Sequence, residues 1–87
     1  MSTADLIRQR LAALEPETYT LEDESAQHKG HAGAASGGGH FRLTLVSPRF
    51  RNLSTLARHR LVYEAMGELM QREIHALSIT ALTPEEL

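Results

Sequence analysis

The chain has 87 residues, no cysteine, no tryptophan and five histidines, with nine Lys+Arg against eleven Asp+Glu for a formal charge of −2. That length supports one domain, residues 1–87, with a modest core. Without cysteine there is no disulfide framework, no thiol nucleophile and no thiolate metal site made by this chain alone. The near-neutral balance, in which eight of the nine cations are Arg, lacks the bulk positive field of a strong nucleic-acid binder. Apolar runs are too short for a transmembrane helix, and the start MSTADLIRQR shows no secretory pattern. The expectation is a soluble cytoplasmic domain with no membrane partner.

Ser2 or Thr3 can cap a first helix, with Asp5 in its first turn as favourable charge. Leu6, Ile7, Leu11 and Leu14 recur at helical spacing, and Pro16 ends the element. TYTLEDES, residues 18–25, alternates as a short half-buried strand. Residues 26–39, AQHKGHAGAASGGG, hold five of the six glycines and no large apolar side chain, which predicts a mobile loop carrying His28 and His31. HFRLTLV, residues 40–46, is the clearest strand, with Phe41, Leu43 and Leu45 on one face. Pro48 punctuates, and Asn52 suits a left-handed turn position.

Ser54 caps a long helix reaching about Arg72, with a break near Gly67. Its apolar arc is Leu56, Val62, Tyr63, Ala65, Met66, Leu69 and Met70; the opposite arc holds Arg60, Glu64, Glu68 and Gln71. Arg60–Glu64 and Glu68–Arg72 have the spacing of ion pairs along that helix. IHALSITAL, residues 74–82, is a third strand, and Thr83 opens a capped turn. The α-β-β-α-β order predicts an α/β (α+β) domain. Its sheet is three-stranded and mixed: the first two strands are antiparallel, the third is parallel to the second, and helices cover one face.

The glycines lead into a strand rather than Lys-Ser/Thr and a helix, so a phosphate-binding loop is rejected. No serine sits in a nucleophile-elbow context, and an enzyme is not expected. His59 lies among apolar helix positions and reads as a half-buried structural histidine. His40, opening the second strand, reads as hydrogen-bonded locally or exposed. His75, in register with Leu77 and Ile79, reads by itself as a strand-edge histidine. The triplet Arg58-His59-Arg60, with Arg42, Arg49 and Arg51 nearby, is either a phosphate-contacting patch or a solvated helix face. Arg58, Arg60 and Arg51 are the candidates for contacting nucleic acid.

In series, EDES, the Gly/His loop, GGHFRLTLVSPRF, RHRLVYEAMGELM and IHALSI resemble the BolA family, from about Leu21 to Pro84. The most telling strings are Val46 to Phe50, Arg58 to Tyr63 and Ile74 to Leu77. The resemblance implies a fold related to the type II KH fold. It departs from KH proteins in having no GxxG clamp between the second strand and the long helix. It departs from the family in having Asn52 where Gly is usual.

The resemblance also implies a monothiol glutaredoxin partner and a shared [2Fe–2S] cluster, with glutathione supplied through the glutaredoxin. His75 matches the family's ligand histidine in the IHAL motif. The second, loop ligand matches His28, with His31 as the competing position. Two histidines can replace two thiolates at one iron. A cysteine-free chain can supply only that half, so the thiolates must come from the partner. Histidine ligates only when neutral, so such sharing should weaken below about pH 6–6.5. The function expected is therefore a non-enzymatic iron–sulfur adaptor. The alternative is a DNA-binding transcriptional regulator, also associated with the family.

Overall fold

The computed structural model describes residues 1–25 and 39–87. His28, His31 and the expectation of a mobile loop fall outside these residues.

Helix α1 spans Thr3–Leu11. Ser2 caps it: its hydroxyl accepts from Asp5 N at 3.1 Å, and the Asp5 carboxylate accepts from Ser2 N at 3.3 Å. These two bonds satisfy orphan donors reciprocally, and they hold the Asp5 carboxyl below its usual range. A 3₁₀ turn, Ala12–Leu14, extends the helix before Glu15 turns left-handed at φ 50°. The helical path thus closes one residue before Pro16, whose ring disfavours helix in its predecessor.

Strand β1 is Thr18–Asp23. It stops two residues short of the predicted end because the Asp23 side chain accepts from Ser25 N at 2.9 Å and turns the chain. Strand β2 is Gly39–Val46, and β3 is Ile74–Leu82. Their order is β1-β2-β3, with β1 antiparallel and β3 parallel to β2. Helix α2 spans Thr55–Met66, capped by Ser54 accepting from Ala57 N. It gives way to a 3₁₀ turn at Gly67–Gln71, where Gly67 has φ 55°, a conformation that favours glycine. Asn52 takes the left-handed conformation, φ 63°.

The core is Ile7, Leu11 and Leu14 from the first helical stretch, Phe41, Leu43 and Leu45 from β2, then Phe50, Val62, Met66, Leu69 and Ile74. Phe50 is fully buried although it lies between Pro48 and the turn at Asn52. Its neighbour Ser47 is also fully buried; its hydroxyl donates to the Leu14 carbonyl at 2.5 Å and accepts from Arg49 N. That bond ties the exit of β2 to the end of the first helical stretch.

The helix wheel needs two corrections. Leu56 and Tyr63, assigned to the apolar arc, are 60% and 42% exposed. They stand roughly 100–120° around α2 from buried Val62, outside the stripe that meets the sheet. Arg58, read as a surface residue, stands about 40° from Val62 instead, and its side chain is 13% exposed. The pair Glu68–Arg72 is not formed; Glu68 pairs with Arg10 of α1, which holds its carboxyl below the usual range. Arg60 and Glu64 form no ion pair with each other.

Candidate functional site

Two ends of the sheet gather the residues singled out by the sequence. At the first, β1 finishes while β2 and β3 begin. Gly39 pairs with Ile74 and His40 with Ala76, so β3 carries one extra residue between these pairs, His75. Such a bulge re-aims a side chain, and His75 is exposed. The His40 and His75 rings lie 4.9 Å apart between centroids, tilted by 37°. His40 N donates to the Ser25 hydroxyl at 3.0 Å, and Glu24 N donates to the His40 carbonyl at 2.7 Å.

Gly39 N donates to the Glu73 carbonyl at 2.8 Å. Any Cβ at Gly39 would overlap the Phe41 ring, so glycine is required for that ring to tuck under the strand. One Glu73 carboxylate oxygen, Oε2, is buried without a hydrogen-bond partner among the described residues. The sequence reading missed both the approach of His40 to His75 and the buried carboxylate oxygen of half-buried Glu73. Alternation placed His75 on its face, but only strand register brings His40 beside it. Among the described residues, no three His, Cys, Asp or Glu side chains stand together as a metal-binding group. His59 is half-buried on α2, the degree of burial its helix position predicts.

At the opposite end of the sheet lie the arginines. Leu82 O accepts from Ser47 N, so in the parallel ladder the neighbouring Ala81 carbonyl points to the free edge of β3. Arg58 Nη1 donates to it at 3.0 Å, and Arg58 Nε donates to the Leu53 carbonyl at 3.0 Å. The Arg58 fork also grips Glu86, with Nη1 at 2.6 Å and Nη2 at 3.3 Å. Arg51 forms the same kind of fork with Glu85, at 2.9 and 2.5 Å.

Glu85 and Glu86 belong to the 3₁₀ turn Pro84–Glu86, in which Glu86 also accepts from Thr83 N at 2.8 Å. The Arg58 fork and the Thr83 N–H draw the Glu86 carboxyl down to about 2. The Arg51 fork holds the Glu85 carboxyl below its usual range. Of the three arginines proposed for nucleic acid, two are therefore committed to carboxylates of their own chain. Arg60 is exposed and forms no ion pair among the described residues.

A family model described as "BolA-like protein" matches residues 11–86. The chain belongs to the BolA family. BolA-like protein 1 of Mus musculus is 47% identical over 74 residues, covering 85% of this chain and 52% of the relative. The chain thus spans about half the length of that BolA relative. A Haemophilus influenzae relative, named DNA-binding transcriptional regulator BolA, is 33% identical, covering 99% of this chain and 82% of its own length. The solved BolA domain of SufE1 from Arabidopsis thaliana superposes with a TM-score of 0.87 at 40% identity, covering 100% of this chain and 98% of that one. The α+β BolA fold expected from the sequence is the fold observed, and no helix among the described residues is long and apolar enough to cross a membrane.

Proposed function

We propose that this chain is a non-enzymatic iron–sulfur adaptor that shares a [2Fe–2S] cluster with a monothiol glutaredoxin. In this reading His75 supplies one ligand and His28 or His31 the second. The carrying observation is the histidine corner: His75 stands exposed on a bulge at the end of the sheet where the segment bearing His28 and His31 leaves after Ser25 and rejoins at Gly39.

The donor set fits such a group. The chain offers imidazole nitrogens and no thiol, which is the histidine half of a mixed nitrogen–sulfur cluster. The missing thiolates are then the partner's cysteine and its glutathione. The cluster, when bound, supplies one-electron chemistry and transferable iron and sulfide. The chain's own contribution is to hold an imidazole at a fixed strand end. The His40 ring against His75 restricts how that imidazole turns.

The test is to mix the protein with cluster-loaded monothiol glutaredoxin and follow visible absorption and circular dichroism. The spectra should change with the wild-type chain and stay unchanged with His75→Ala. Separate His28→Ala and His31→Ala variants identify the loop ligand. Spectra that respond equally to His75→Ala and wild type would overturn the assignment.

A second reading, DNA binding, is favoured by the name of the Haemophilus influenzae relative and by the clustered arginines around the start of α2. Gel shifts across salt concentration test it. Phosphate contacts give a steep salt slope, which Arg60→Ala should flatten.

A further inference from the structure

We propose that Arg51 and Arg58 form an anion site now filled by the chain's own C-terminal turn, and that the phosphodiester backbone of DNA is the ligand that takes the turn's place. This rests on the DNA-binding reading and adds a regulatory contact to it.

Arginine forks receive carboxylates and phosphates with the same bidentate geometry. Here two forks are filled by consecutive carboxylates of a single turn: Arg51 holds Glu85 and Arg58 holds Glu86. Arg58 is anchored by the Leu53 and Ala81 carbonyls. Those carbonyls belong to the body of the fold, so its guanidinium keeps its aim without Glu86. With only 13% of its side chain exposed, it is poorly hydrated and needs an anion beside it.

The turn starts from buried Thr83, and beyond it the attachment is through side chains. Its backbone bonds, Glu86 N to Thr83 O and Leu87 N to Pro84 O, are internal to it. Among the described residues, the hydrogen bonds that its side chains make to the rest of the fold are the two arginine forks. The Arg51–Glu85 pair is half exposed on both sides, the class of ion pair that salt screens readily. Displacing the turn would leave two arginine forks, Arg51 and Arg58, at this end of the sheet for a strand of phosphates.

The experiment is fluorescence anisotropy with a labelled duplex of about 20 base pairs, over roughly 50–200 mM KCl, where affinity is governed by phosphate contacts. Wild type is compared with Glu85→Gln/Glu86→Gln. A charge-matched control, Glu22→Gln/Glu64→Gln, removes two negative charges elsewhere. The latch variant should bind about tenfold tighter than wild type, with a salt slope steeper by about two. The control should gain about threefold or less, because it changes only the overall field. Adding Arg51→Gln to the latch variant should return about one unit of slope.

Far-UV circular dichroism checks the fold. Glu85→Gln alone leaves the Arg58–Glu86 fork intact, and should still bind tighter than a single Glu22→Gln control. A folded latch variant no tighter than its control overturns the proposal. If wild type binds DNA and the latch variants match their controls, DNA binding stands and the latch falls. If no variant binds at the lowest salt, both fall.

Discussion

The two ends of the central strands are built on different physical terms. They lie about 20 Å apart, by the rise of β2. At the arginine end, Arg51 and Arg58 are each fixed by a fork on a carboxylate, and Arg58 also meets two carbonyls. At the histidine end, a bulge presents His75 to solvent with the His40 ring beside it. The first end pairs its arginines with carboxylates of its own chain; the second leaves His75 exposed. An adaptor that shares a ligand site needs the second kind of end, while the first keeps β3 and α2 in register. Substitutions at His75, His40, Arg58 and Gly39, and one acid titration, separate these roles.

The largest effect is expected at the histidine corner. His75→Ala should abolish the spectral change with cluster-loaded glutaredoxin while altering stability by no more than about 0.5 kcal/mol, as for an exposed side chain. Denaturant unfolding checks the second half. His40→Ala should weaken the spectral change partly, and His40→Phe should restore it by keeping a ring beside His75. A His40→Phe variant as silent as His75→Ala would make His40 a ligand.

Next comes Arg58→Ala, which strips the donors from two carbonyls and leaves Glu86 unpaired. It should cost about 2 kcal/mol in urea unfolding and leave the glutaredoxin spectra unchanged. Arg58→Lys should recover only part, because a point charge cannot fork to Glu86. Loss of the spectra in a folded Arg58 variant would show that the two ends are coupled.

Gly39→Ala forces Cβ into the Phe41 ring and should cost about 1–2 kcal/mol. It should also shift the His40 and His75 ring resonances, since Gly39 sets the start of β2. Unshifted resonances would mean the strand start tolerates the methyl group.

The smallest effect is acid titration of the C-terminal turn. The Glu86 carboxyl is drawn below its ordinary value, so its contribution is complete above about pH 4.5 and is lost as pH falls toward about 2. Carboxyl-detected NMR should place the Glu86 midpoint near 2. Arg58→Ala should raise that midpoint toward the usual carboxylate range.

Local chemistry by itself determined much of this protein. The Ser2 and Ser54 caps, the alternation of Phe41, Leu43 and Leu45, the left-handed Asn52 and the glycine break at Gly67 act within a few residues, and each is legible from neighbours in sequence. Alternation put His75 at the edge of a strand, where it stands exposed; its ligand role is implied by the family strings. What the tertiary structure alone decided are contacts set by strand register and by how α2 rolls on the sheet. Arg58 meets Glu86 across 28 positions and Arg10 meets Glu68 across 58, distances over which no periodicity carries information. The same roll turned Leu56 and Tyr63 outward, because two thin layers bury only a narrow stripe of each helix. His40 reached His75 for a related reason: a parallel crossover and one extra residue on β3 fixed which two imidazoles share a corner.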